Sequence, residues 1–159
     1  MTSTTRITVE EIPPERAGEV SEIAFPLFRE VYRDTPSEIV EAFLRKTQTP
    51  EGIAEQIRSG TVYAFVLCDG ERAGYFAYER DGEGMRLSKL YLLPPFRGRG
   101  IGGYLLDYVE DKARESGIGT VHLEVNEINP QAREFYLRHG FKVGERIDYM
   151  RIVMRKSLE

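Results

Sequence analysis

The chain has 159 residues, of which 41% are hydrophobic and 30% charged, and it carries a formal charge of −4 at pH 7. That describes one ordinary water-soluble domain over residues 1–159, large enough to bury an apolar core unaided. The acidic balance gives no electrostatic reason to expect nucleic acid, and no apolar run is long enough to span a membrane.

The only cysteine, Cys68, permits no internal disulfide and has no metal-ligand partners in the sequence. Together with a start, Met-Thr-Ser-Thr-Thr-Arg, that has no apolar leader, this leads to the expectation of a cytoplasmic protein without a metal.

In chain order, Arg6 to Glu11 alternates and reads as a strand ended by Pro13-Pro14. From Glu15 onward, Val20, Ile23, Ala24, Leu27, Phe28 and Val31 fall on one helical stripe, which Pro26 should kink. Thr35-Pro36 and Thr49-Pro50 each place a capping hydroxyl before a proline, so two short helices follow, the second stopping at Gly60. Thr61 to Cys68 and Arg72 to Glu79 are rich in β formers and are separated by Asp69-Gly70, a hairpin signal. A turn at Asp81–Gly84 leads into a third strand, Met85 to Leu93.

The next stretch, Arg97-Gly98-Arg99-Gly100-Ile101-Gly102-Gly103, joins that strand to an amphipathic helix running to about Ser116. A helix start exposes unpaired N–H groups and the positive end of a dipole, and glycines let an anion approach the backbone, so the stretch reads as a phosphate seat. The plainer reading is a tight turn whose glycines serve packing. Gly98, Gly100 and Gly103 also spell the dinucleotide pattern, with Glu124 about twenty residues on. However, Pro94-Pro95-Phe96-Arg97 separates them from the strand, and too little chain follows for a doubly wound sheet. No Lys-Ser/Thr pair follows the glycines, which argues against a nucleotide-triphosphate loop.

Beyond that helix, Thr120 to Asn126 alternates, with Val121, Leu123 and Val125 on one face and His122, Glu124 and Asn126 on the other. The helix crossover favours parallel pairing with the preceding strand. Its wholly polar face suggests a wet cleft in which Glu124 could act as a general base, an exposed strand glutamate being the plainer alternative. His122 reads as a packed or hydrogen-bonded histidine. Asn129-Pro130 starts a short helix carrying Ala132, Phe135, Tyr136 and His139, which Gly140 stops; Phe141 to Ile147 and Tyr149 to Lys156 form a last hairpin.

These residues resemble the GCN-related N-acetyltransferase (GNAT) superfamily. The family's pyrophosphate motif, Gln/Arg-x-x-Gly-x-Gly/Ala, is matched by Arg97-Gly98-Arg99-Gly100-Ile101-Gly102. Its later signature is matched by Asn129, Ala132, Phe135-Tyr136 and Gly140-Phe141. The resemblance is specific over Leu87 to Phe141; more weakly, the chain is similar to polyamine N-acetyltransferases of the PaiA type.

The resemblance implies an α/β fold: a mixed, mostly antiparallel sheet with a splayed central strand pair and helices on both faces. It implies acetyl-CoA as co-substrate and direct attack by a primary amine in a ternary complex. Backbone groups of Leu90, Tyr91 and Leu92 would hold the pantetheine arm, with the Leu92 N–H polarising the thioester. Arg97, Gly98, Arg99, Gly100, Ile101, Gly102 and Gly103 would hold the pyrophosphate. Asn129 would reach the arm as well, or serve as a helix cap and no more. Tyr136 would protonate the departing thiolate, or pack as an aromatic.

Ser88 stands where some branches place a catalytic glutamate, which shifts the expectation of a base to Glu124. A small-molecule or peptide amine is expected as acceptor, a polyamine first because residues 1–60 hold more carboxylates than basic groups. Phe28, Tyr32 and Tyr149 are expected to wall its site, and the protein to be a monomer or homodimer. The alternative is an acetyl-CoA-binding sensor without transfer activity.

Overall fold

The structure, a computed structural model, describes residues 5–127 and 129–159; the reading of the first four residues as lacking a leader lies outside the described residues. Its elements are β1 (Ile7–Glu11), α1 (Ala17–Val31), α2 (Ser37–Thr47), α3 (Pro50–Arg58), β2 (Val62–Cys68), β3 (Glu71–Asp81) and β4 (Gly84–Leu92). Then follow α4 (Ile101–Glu115), β5 (Thr120–Asn126), α5 (Pro130–Arg138), β6 (Lys142–Arg146) and β7 (Arg151–Ser157), with single turns of 3₁₀ helix at Pro14–Arg16 and Pro94–Phe96.

Among the described residues the strands form one seven-stranded sheet in the order β1-β2-β3-β4-β5-β7-β6. β1–β2, β5–β7 and β6–β7 pair antiparallel, whereas β4–β5 pairs parallel. This is the mixed, mostly antiparallel sheet expected. Two compact units make up the chain: the first is Met1–Ala77 with Lys89–Arg99, the second Tyr78–Ser88 with Gly100–Glu159.

In the first unit the α1 stripe buries Val20, Ala24, Leu27 and Phe28 against Val40 and Leu44 of α2, Ile53 of α3, Tyr63 and Phe65 of β2, and Tyr75 of β3. Phe28 is 1% exposed, so it is a core residue and not the acceptor wall expected; a stripe position so deep has no face left for a ligand. Gln48 is wholly buried, yet its amide is satisfied. The Tyr75 hydroxyl donates to it at 2.8 Å, and its own nitrogen donates to the Thr47 carbonyl at 2.8 Å and to the Tyr63 hydroxyl at 3.2 Å. Buried polar groups are tolerated on that condition. Burial pushes the Tyr75 phenol well above its ordinary pKa.

Two caps were expected from Thr-Pro pairs, and one forms. Thr49 Oγ1 accepts the Gly52 N–H at 3.0 Å and starts α3. At α2, however, Pro36 is itself the cap, with extended ψ of 131°, and no side chain caps the helix. The helix therefore starts one residue late for Thr35, whose hydroxyl is buried without a hydrogen-bond partner among the described residues.

In the second unit β5 alternates as expected, with Val121, Leu123 and Val125 buried and His122, Glu124 and Asn126 half-buried. Its pairing with β4 covers Met85↔Val121 and Arg86↔His122 among the described residues. With β7, by contrast, it forms a ladder from Thr120↔Ser157 to Asn126↔Arg151. α4 buries Ile101, Leu105, Leu106, Val109 and Ala113, and its one buried acid, Glu110, is 3.0 Å from Lys156 Nζ.

Candidate active site

The start of α4 differs from the two proline-marked helix starts that are capped. Thr49 caps α3 and Asn129 caps α5, whereas the α4 cap is Gly100, with no side-chain hydrogen bond; the first turn of α4, like that of α5, holds no acidic residue. The first N–H groups of a helix have no partner within it, and the dipole leaves them positive. Gly98 and Gly100 lie at φ +75° and +79°, left-handed backbone that costs other residues about 1–2 kcal/mol. Both are exposed, and a Cβ at either would meet nothing within 4 Å. Glycine adopts that backbone without strain, and the open space where a Cβ would stand leaves room beside the first turn of α4.

Gly102 is different. A Cβ there would lie 2.8 Å from Phe135 Cζ of α5, and one on Gly103 would lie 3.0 Å from His139 Cε1. These two glycines let the side chains of Phe135 on α5 and of His139 just after it close on α4, so the packing reading holds for this half of the loop.

The arginines of the loop are also partly occupied. Arg97 Nε donates to the Leu92 carbonyl at 3.0 Å, and its Nη2 donates to Glu30 of α1 at 2.6 Å. This guanidinium holds the Glu30 carboxyl below its ordinary pKa. Arg97 thus ties the end of β4 to α1. The Arg99 guanidinium is carried 5.6 Å above the Phe96 ring.

At the end of β4, Leu90, Tyr91 and Leu92 are half-buried. The Tyr91 ring packs 4.6 Å from Phe28, and its hydroxyl is 3.1 Å from that of Tyr32, whose phenol burial pushes to higher pKa. A Cβ on Gly74 would fall 2.1 Å from the Tyr91 carbonyl oxygen. Only glycine at that point of β3 lets this segment of β4 come so close.

Glu124 of β5 is held by charge. Arg86 Nη2 of β4 is 2.7 Å from its carboxylate and Arg151 Nη1 of β7 is 3.6 Å away. Its side chain is 26% exposed. The sequence reading missed both arginines, although alternation in β4 carries a signal for the first: Met85 and Leu87 are buried while Arg86 and Ser88 are not. His122 Nε2 is 3.0 Å from Asp81 Oδ2, a hydrogen-bonded histidine as expected.

On α5, Asn129 Oδ1 accepts the Ala132 N–H at 3.2 Å, so the cap reading holds for that oxygen. Tyr136 is half-buried, its ring 5.1 Å from Phe135 and 5.5 Å from Phe141. Its backbone carbonyl takes the Phe141 N–H at 3.0 Å and so fixes the exit of the helix. Tyr149, expected as an acceptor wall, is 82% exposed on the β6–β7 turn. No group of residues suited to holding a metal ion occurs among the described residues.

The Acetyltransferase (GNAT) family model matches residues 19–141. The chain belongs to the GNAT acetyltransferase family. An uncharacterised N-acetyltransferase of Lactobacillus delbrueckii subsp. lactis is 32% identical to this GNAT protein over 77% of the chain and 81% of that protein. Streptothricin acetyltransferase of Streptomyces lavendulae is 32% identical over 57% of the chain, a stretch spanning 49% of that protein. In fold, the chain is similar to the PaiA N-acetyltransferase of Thermoplasma acidophilum solved with coenzyme A, at a TM-score of 0.85 and 24% identity over 96% of this chain and 99% of that one. This protein is accordingly an N-acetyltransferase of the GNAT type.

Proposed function

We propose that the protein transfers the acetyl group of acetyl-CoA to a primary amine, by direct attack in a ternary complex, with residues 1–159 acting as one catalytic domain. The observation that carries this reading is the bare, acid-free start of α4 behind left-handed Gly98 and Gly100, in a chain whose family match runs through both units.

Backbone N–H groups from Gly98 to Gly103 bind the pyrophosphate, with Arg99 adding positive charge. Arg97 contributes by fixing the loop, since its guanidinium is already spent on Glu30 and Leu92. Leu90, Tyr91 and Leu92 offer backbone groups to the pantetheine arm, the Leu92 N–H polarising the thioester carbonyl. Asn129 adds its amide nitrogen. Glu124 receives the acceptor's ammonium and takes its proton, directly or through water. Tyr136 donates its phenolic proton to the departing thiolate. Cys68 is 4% exposed, which favours direct transfer over an acyl-cysteine relay.

Polyamines, suggested by the weaker sequence resemblance to PaiA-type enzymes, are to be assayed as acceptors beside monoamines. The acid excess of residues 1–60 supports them less than the sequence suggests. Glu10 and Glu19 are paired with Arg16, Glu30 with Arg97 and Glu41 with Arg29.

A thermal shift assay tests the coenzyme half of the proposal. A ligand that binds the native state alone stabilises it by about 2.7 kcal/mol at a hundred times its Kd. Coenzyme A and acetyl-CoA should raise Tm while a nicotinamide dinucleotide does not; no shift with millimolar coenzyme A would refute it.

A further inference from the structure

Glu124 stands in a row of alternating charge that crosses four strands of the second unit. Arg86 Nη1 is 3.7 Å from Glu79 of β3 and its Nη2 is 2.7 Å from Glu124. Arg151 Nη1 is 3.6 Å from Glu124 and its Nη2 is 2.9 Å from Asp148. The row therefore holds three carboxylates against two guanidiniums, one negative charge in excess. Each guanidinium has an outer acid of its own. Glu124, in the middle, is the carboxylate both can give up.

The distances show which guanidinium matters. Arg151 already sits on Asp148, to which its Nε also donates at 2.9 Å. Arg86 leans on Glu124, with Glu79 as its fallback. Arg86 of β4 is paired with His122 of β5, and Glu124 stands two residues beyond His122, so the side chains of Arg86 and Glu124 share one face of the sheet. Arg86 and Glu124 are 36% and 26% exposed in their side chains, so an incoming cation can reach the pair.

We propose that Arg86 sets the charge specificity of the acceptor: it guards Glu124, yields to one substrate ammonium by shifting onto Glu79, and so makes the seat fit a single positive charge. When a monocationic amine binds, the rearranged row holds Glu79 with Arg86, Glu124 with the ammonium and Asp148 with Arg151. Every charge is then paired. A second ammonium close to the first finds no carboxylate of this row left, and the arginines repel it. This deepens the proposed function and rests on Glu124 facing the acceptor.

The test compares butylamine with diaminobutane as acceptors, in wild type and variants shown to be folded by their melting curves. Arg86→Gln removes the guard and leaves two negative charges in excess. It should shift the kcat/KM ratio toward the diamine by about fivefold, the scale of an exposed ion pair, while Arg86→Lys keeps the wild-type ratio. Glu79→Gln removes the fallback and should raise KM for butylamine with kcat unchanged, which carries the test if Arg86→Gln does not fold.

An unchanged ratio in folded Arg86→Gln, or an unchanged KM in Glu79→Gln, overturns the proposal. Glu124→Gln separates the two levels of the reading. If it raises the KM of both amines, Glu124 faces the acceptor and only the guard is in question; if it moves neither, the acceptor role of Glu124 itself fails.

Discussion

Gly102 and Phe135 meet across α4 and α5 so closely that a Cβ on the glycine would fall 2.8 Å from the ring. Its neighbour two residues earlier, Gly100, faces open space at φ +79°. One motif thus contains glycines kept for opposite reasons, and they can be told apart. Gly102→Ala should lower stability by about 1–3 kcal/mol through overpacking, and Phe135→Leu in the same chain should restore part of it. Gly100→Ala should cost about 1 kcal/mol through backbone strain and should also weaken coenzyme binding. Denaturant melts with and without coenzyme A check both, and equal behaviour of the two variants would refute the division.

Tyr136→Phe deletes one hydroxyl and keeps the ring that packs on Phe135 and Phe141. If Tyr136 is the acid, turnover should fall about a hundredfold or more at the chemical step, with coenzyme binding unchanged. A thioester with a more acidic thiol should rescue it. Loss of stability with turnover intact would assign Tyr136 to packing.

Glu124→Gln should slow turnover chiefly below the pH at which the acceptor amine loses its proton unaided, with coenzyme affinity unaltered. Raising the pH should restore part of the rate. A pH–rate profile identical to wild type would leave the proton to water.

Stability should carry an acid limb set by two carboxylates, the half-buried Glu19 and the exposed Glu145. Hydrogen bonds from Arg16 and then Arg72 lower Glu19 from 4.5 to about 2, and Arg155 lowers Glu145 likewise to about 2. A carboxyl whose folded pKa lies below its unfolded one contributes stability that is present above the unfolded value and lost as pH falls toward the folded one. The loss therefore falls between about pH 4.5 and pH 2 for both groups. Glu19→Gln and Glu145→Gln should each flatten the urea midpoint against pH in that window, and an unchanged slope in both would contradict the pairing.

What could be read from the sequence was what neighbours in the chain decide. Strand β5 has the bounds its alternation predicts, and Thr49 and Asn129 cap the helices they precede. Thr35 failed as a cap because Pro36 took that place in an extended conformation. Contacts between distant residues left no local trace. Arg97 and Glu30 are 67 residues apart and Arg86 and Glu124 are 38 apart, yet these pairs decide which charges of the site are already spent. The Gly102–Phe135 approach was hidden for another reason: a glycine kept for packing and one kept for φ look the same in a motif.

The measurement that bears most directly on the central claim is release of free thiol from acetyl-CoA by the purified protein across a panel of primary amines, with the products weighed by mass spectrometry. The account predicts amine-dependent thiol release matched one for one by N-acetylated amine. Coenzyme binding with no thiol release above the amine-free rate for any member of the panel would contradict it and leave a coenzyme-binding sensor.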